Sequence, residues 1–339
     1  MQLRLRKFER QPAAFTNRRL TQRSLDILAT IARYRLIPTS LIVPLVGGDA
    51  RTTHDHLQML FHRNFVARFP LRFVGSSEVC YYLDNIEALS LLAERPGTDP
   101  QDLGWDEVRR NRDNPFDGIR RSLFVQHELM ISRFHAMLEL ACRRSTGAVE
   151  LATWRQGPKL RNTVEMDRLA YDGERDTWYR EEGTERLPHE PDAFFTLRYA
   201  QLPEGERELS FFYEADRKTT TKAERIRDKF RAHFHFVVRD REKLRRTYQV
   251  DRIRAVLIET LDRAWAQRLR EAARHSVVSG GKPSSLFWFT TSEVFTLPGT
   301  IQEGRQAKTV PRFLVRPEII FNPIWISPVD NTRYSLLQP

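Results

Sequence analysis

The chain has 339 residues, 40% of them hydrophobic and 29% charged, with a formal net charge of +11. That length supports two domains with cores of their own, and the basic balance points to a polyanionic partner, nucleic acid before a membrane surface. Two cysteines far apart in sequence, Cys80 and Cys142, exclude a disulfide framework and a cysteine-rich zinc site. No apolar run approaches the roughly 18 residues of a membrane span.

The amino terminus, MQLRLRKFERQ, is basic but lacks the apolar region of a secretory signal, so a cytoplasmic protein is expected. The charge excess is uneven. Residues 1–80 hold thirteen Lys and Arg against five Asp and Glu, a local net of +8, which marks an amino-terminal nucleic-acid module. Arginine outnumbers lysine there, as suits phosphate and guanine recognition. In TQRSLDILATIARYRLI, Leu25, Leu28, Ile31 and Ala32 recur at helical spacing, with Thr21 or Ser24 as the cap. After Pro38, TSLIVPLV reads as a second short helix closed by Gly47 and Gly48. Asp49 then caps a third, whose buried stripe is Ala50, Thr53, Leu57, Leu60 and Phe61; Arg51, Thr52, Asp55, Gln58, His62 and Arg63 fall mainly on the other side. Two strand-like runs, FVARFPLRFV and EVCYYLD, follow across Gly75-Ser76-Ser77.

Three helices and a hairpin make the winged form of the helix-turn-helix, so residues 17–93 are expected to form a winged-helix DNA-binding domain. Its third helix would enter the major groove of double-stranded DNA. Phosphate contacts are expected from Arg18, Arg19, Arg23, Arg51, Arg63, Arg68 and Arg72, and base contacts from Arg51, Thr52, Asp55 and Gln58. Winged helices also serve protein–protein recognition, an alternative that the local +8 opposes. Helix-turn-helix proteins read palindromes as dimers, so a homodimer is compatible with this reading, although no coiled-coil heptad accompanies it.

Residues 94–119 are rich in Pro, Gly, Asp and Asn and read as a linker. A long helix, RSLFVQHELMISRFHAMLELACRRS, opens the second half. Strands follow at VELATW, DAFFTLRYA and ELSFFYEAD, with the charged residues 156–190 as an exposed excursion between the first two. Then come a helix (AERIRDKFRAHFHF), a strand (IRAVLIET), a helix (LDRAWAQRLREAARH) and a strand (SLFWFTTSEVF). This order predicts an α/β sandwich over residues 120–327.

Within it, Glu214, Asp216 and Lys218 alternate and share one face of a strand. If the preceding hairpin turns near Glu204, Asp192 faces Asp216 and Phe194 faces Glu214. Carboxylates that close repel unless a cation or a shared proton offsets them. Mg²⁺ held by Asp192, Glu214 and Asp216 would do so, with Asp192, Asp216 and Lys218 as the catalytic set and Lys218 orienting the attacking water. Pro191-Asp192 followed by Asp216-Arg217-Lys218 matches the layout of the PD-(D/E)xK nuclease motif. The other reading is a strand end capped by solvated charges, which needs no metal.

The whole chain resembles the replication-relaxation family of plasmids and other mobile elements. The resemblance rests on RSLDILATIARYRLIPTSLIVPLV with HDHLQMLFHRNFVAR, on PDAFF, on FFYEADRKT and on PIWIS, from about residue 17 to 327. It implies a winged helix joined to a restriction-endonuclease-like domain, acting in replication, transfer or transcription control with protein partners in such a complex. The family's PDA falls on Pro191, Asp192 and Ala193, and its E-x-D pair on Glu214 and Asp216. Members often carry a small residue where this chain has Lys218.

Overall fold

Helix α1 (Gln22–Tyr34) starts where the chain supplies a cap. Thr21 is extended and its hydroxyl accepts the Ser24 amide, while the Ser24 hydroxyl accepts the Thr21 amide. These observations come from a computed structural model, which describes residues 8–11, 15, 17, 19–71, 78–83, 85–94, 122–175, 177–303, 306–313 and 315–337. The chain forms two compact units, Met1–Leu140 with Thr296–Val315 and Ala141–Phe295 with Arg316–Pro339.

In the first unit a two-residue strand, β1 (Ile37–Pro38), leads into α2 (Thr39–Val46), which ends at Gly47 with φ 66°. Gly48 follows at φ 71°, and a Cβ there would meet the Arg23 guanidinium at 3.2 Å. Both conformations favour glycine. Helix α3 (Ala50–His62) begins at Asp49, whose carboxylate accepts the Thr52 amide at 2.7 Å. Strands β2 (Val66–Pro70) and β3 (Val79–Leu83) pair antiparallel from Val66↔Leu83 to Pro70↔Val79, and β1 adds itself to the far side of β3. The connection at Gly75-Ser76-Ser77 lies outside the described residues, as do the linker residues 95–119.

Helix α4 (Ile86–Ala93) follows, capped by Asn85. The long helix α5 (Ser122–Arg144) gives its first part to this unit. There Tyr34 donates its hydroxyl to Glu139 and Arg33 pairs with the same carboxylate at 3.1 Å, tying α5 to α1. The hairpin of β11 (Thr296–Glu303) and β12 (Gln306–Phe313) groups with this unit as well.

The second unit is built on a mixed seven-stranded sheet. It contains β4 (Val149–Gln156), β7 (Ala193–Tyr199), β8 (Glu208–Asp216), β9 (Ala255–Thr260), β10 (Phe287–Thr291), β13 (Trp325–Ile326) and β14 (Arg333–Tyr334). Their order is β14-β13-β10-β9-β8-β7-β4, with β8, β9 and β10 parallel and the other neighbours antiparallel. Parallel central strands are covered on both faces, and β8 and β9 read accordingly as near-continuous apolar runs, LSFFY and AVLI.

The crossovers carry α6 (Ala223–Phe234), a π-helical turn (His235–Arg239) and α7 (Arg241–Tyr248) from β8 to β9, then α8 (Arg263–Arg274) and α9 (Ser276–Ser279) from β9 to β10. Phe194, Phe212, Ile258, Phe287 and Phe289 of the sheet pack against Ile226, Phe230, Phe236, Trp265 and Leu269.

Two sequence expectations change. The charged segment between β4 and β7 is an ordered antiparallel ladder of β5 (Asn162–Asp172) and β6 (Thr177–His189). The β7–β8 register is Ala193↔Tyr213 and Phe194↔Phe212, two residues from the one expected, so Phe194 does not face Glu214. Continued to the strand end, it sets Asp192 beside Glu214 rather than Asp216.

Candidate functional site

Alternation along β8 sends Glu214 and Asp216 to the same side of the sheet as Phe212, toward α6 and α8. Glu214 is 2% exposed, and both of its oxygens are engaged. Oε1 meets His233 Nε2 at 2.7 Å and Oε2 meets Lys229 Nζ at 2.5 Å. His233 and Lys229 stand four residues apart on α6, so one helix face delivers both to one carboxylate. Burial pushes the Glu214 carboxyl up, but the Lys229 charge and the His233 hydrogen bond outweigh it and hold the pKa at about 2. Partial desolvation disfavours the Lys229 ammonium, whose side chain stays 44% exposed, yet Glu214, Asp192 and Asp216 together keep it above the usual lysine range.

Asp192 sits in the short link between β6 and β7. Its amide donates to the Tyr213 carbonyl at 3.1 Å and its Oδ2 accepts the Ala215 amide at 2.8 Å, which continues the β7–β8 pairing with a side chain. Asp216 Oδ1 accepts Trp265 Nε1 at 2.6 Å and the Lys218 amide at 3.0 Å. The Lys218 ammonium is turned to Asp262, the N-cap of α8, and lies 5.7 Å from the centre of the Trp265 ring. Lys218 therefore joins the strand end to α8, and Lys229 is the lysine that meets Glu214.

On the opposite side of the sheet, buried Glu259 of β9 accepts the Tyr213 hydroxyl at 2.8 Å and the Ser292 hydroxyl at 2.7 Å. Burial, Glu259 and the nearby carboxylates push the Tyr213 phenol well up. Sequence reasoning missed Lys229, His233, Glu259 and Trp265. The Lys229–His233 spacing on an otherwise apolar helix face was the one signal available. A cleft of about 730 Å³ also opens beside α6, lined by residues that include Met166, Asp167, Arg231, Phe234, His235 and Val278; none of Asp192, Glu214 and Asp216 lines it.

Among the described residues, no three His, Cys, Asp or Glu side chains gather to hold a metal ion. Both Glu214 oxygens, expected to take Mg²⁺, instead meet Lys229 and His233, while Asp216 Oδ1 accepts Trp265 and the Lys218 amide and Asp192 Oδ2 accepts the Ala215 amide. In this arrangement Glu214 offers no open oxygen to an ion shared with Asp192 and Asp216.

The expected DNA-contacting residues of the first unit divide by geometry. Arg51, Thr52 and Asp55 are exposed on one side of α3, with Gln58 half-buried below them, while Thr53, Leu57 and Leu60 are fully buried. The Thr52 backbone and side chain both bond the Asp49 carboxylate and lower its pKa. Arg19 is exposed, and Arg63 lies 5.2 Å from the centre of the Phe65 ring. Arg23 faces inward, donating to the Val46 carbonyl at 2.8 Å and to the Gly47 carbonyl, so it closes the end of α2. Arg68 covers the Phe61 ring at 4.0 Å. Arg18 and Arg72 lie outside the described residues. Two positions depart from the expected stripe: Ala50 is exposed, and His62 is buried, stacked on Phe15 at 4.6 Å.

No helix among the described residues is long and apolar enough to cross a membrane. No curated protein and no solved structure matches the chain. One family profile does, over residues 28–250, a span that runs from α1 through α3 and the β7–β8 hairpin to the end of α7. With about two thirds of its length matched in this way, the chain belongs to the replication-relaxation family.

Proposed function

We propose that this protein binds double-stranded DNA through its amino-terminal unit, as a winged helix whose α3 reads the major groove. It would serve the replication, transfer or transcription control of a plasmid or another mobile element, alongside protein partners of such a complex. The observation that carries this reading is the outward side of α3. Arg51, Thr52, Asp55 and Gln58 stand there together in the quarter of the chain that holds a net +8. Arginine and glutamine pair with guanine and adenine edges in the major groove, and nearby arginines supply phosphate contacts. Membership of the replication-relaxation family supports the biological setting.

In this reading the second unit, with its β4-β7-β8-α6-β9 core, is a restriction-endonuclease-like fold that holds DNA or partners. A Mg²⁺-dependent endonuclease is the second reading, favoured by the placement of Asp192 beside the end of β8. It ranks lower because both Glu214 oxygens are already engaged and Lys218 is paired with Asp262.

The test is incubation of the purified full chain with supercoiled plasmid, with Mg²⁺ or with chelator, beside Arg51→Ala, Asp192→Ala and Asp216→Ala. Retarded, intact plasmid with wild type, weakened by Arg51→Ala alone, supports DNA holding. Metal-dependent nicking lost in both aspartate variants would install the second reading. An absence of retardation at low salt would sink both.

A further inference from the structure

The charges at the end of β8 need a compensating cation, and the chain provides one. Like-charged carboxylates at one sheet end repel, and a buried carboxylate without a partner is strongly destabilising. Here the most deeply buried of the three, Glu214, has a cation on one oxygen and an imidazole on the other. Both donors come from α6 at positions i and i+4, the side of the helix that also buries Ile226 and Phe230. One oxygen of each aspartate also accepts hydrogen bonds. Asp216 takes the Trp265 indole and the Lys218 amide, and Asp192 takes the Ala215 amide.

We propose that Lys229, backed by His233, is the resident counter-ion of the Asp192–Glu214–Asp216 cluster, in the role a divalent cation would otherwise fill. Mg²⁺ is held by carboxylate oxygens and waters, and it sheds those waters reluctantly. To enter this cluster it would have to displace an ammonium already in contact with Glu214. Lys229 thereby takes the place of a cation on Glu214, and whatever the second unit does with DNA or partners, it does without a metal on that carboxylate. This inference is independent of whether α3 reads DNA.

The arrangement also provides its own reporter. The Trp265 indole contacts Asp216 at 2.6 Å, close enough to sensitise the luminescence of a lanthanide bound to that carboxylate. The experiment is a Tb³⁺ titration of the full chain under indole excitation, on wild type, Asp216→Asn, Lys229→Met and Lys229→Met with Asp192→Asn. The signal assigned to the cluster is the saturable part that Asp216→Asn removes. Wild type is expected to show none. Lys229→Met, which keeps the aliphatic stem and removes the charge, is expected to acquire a saturable site at least tenfold tighter than any wild-type response. That site should be competed by Mg²⁺ and lost when Asp192→Asn is added.

A saturable, Asp216→Asn-sensitive signal in wild type overturns the proposal, as does a folded Lys229→Met chain that gains none. Should Lys229→Met fail to fold, the wild-type titration decides alone by the same criterion.

Discussion

At the scale of single residues, Glu214 sets how the second unit responds to acid. Its pKa of about 2 lies below the ordinary glutamate value of 4.5, so between those values the unfolded chain binds the extra proton. The stability it contributes is therefore complete above pH 4.5 and is lost as pH falls toward 2. A depression of that size corresponds to a contribution on the order of 3 kcal/mol. The buried histidines add an earlier loss with the same sign. Burial, and after it the neighbouring His233, Lys243 and Lys229, hold His189 well below 6.5, and burial does the same to His135. Urea unfolding of the full chain should thus show stability falling below about pH 6.5 and again below about 4.5. Glu214→Gln should shrink the lower step and leave the upper one, with Asp49 and Asp262, also held low, supplying what remains. Lys229→Met at neutral pH, which leaves Glu214 with only His233, should cost about 1–2 kcal/mol, less than a fully buried pair because Lys229 is 44% exposed, and much less when Glu214→Gln is made with it. A sum of the two single effects in the double variant would argue against a direct pair.

Elements explain which of these features the sequence made legible. The strands β7 and β8 and the helices around them stand out because a central parallel strand is apolar throughout and an amphipathic helix is periodic. Glu214 and Asp216 were visible for the same reason, as polar residues ending an apolar run. Their partners were not, since nothing in a linear spacing says which face of α6 meets which residue of β8. The register error has a local cause: residues 200–207 join the strands by a loop long enough to turn at more than one place, and only the packing of Phe194 and Phe212 into one core fixes the pairing. The β5–β6 ladder was hidden because its outer residues meet solvent on both faces, so no apolar alternation marks it. It is held at its base by Arg231, which is 4% exposed and pairs with Glu185 of β6 and Asp228 of α6. Arg231→Met should therefore loosen that hairpin, with faster amide exchange over residues 177–189 than in β8, whereas uniform acceleration of the two would count against a local tether. In the first unit the Asp49 cap makes a similar element-level prediction. Asp49→Ala should lower stability and weaken DNA binding by fraying the turn that carries Arg51 and Thr52.

For the molecule as a whole, the quantity that separates a DNA-holding protein from a metal-dependent one is the response of affinity to ions. Most of the +11 charge lies in the first quarter of the chain, while Glu214 at the end of β8 is paired internally with Lys229. If affinity comes from arginines displacing counter-ions from the duplex, log K should fall linearly with log salt, by about 0.9 for each phosphate neutralised. Mg²⁺ would then act as one more competitor for phosphate and weaken binding. Arg51→Ala should lower affinity about tenfold where it reads a base edge, and reduce the slope by about 1 where it meets a phosphate. Arg23→Ala should act differently, because its guanidinium is spent on the end of α2: stability should fall while the salt slope of the folded fraction stays unchanged. Fluorescence anisotropy of a labelled duplex across a salt series, repeated with Mg²⁺ replacing part of the monovalent salt at constant ionic strength, measures all of these together. Tighter binding with Mg²⁺ than with chelator would mean that a cation joins protein to DNA, and the Lys229–Glu214 pair would then have to open. A slope that follows Arg51 and ignores Glu214→Gln would place the affinity in the amino-terminal arginines and leave the β8 edge a structural ion pair.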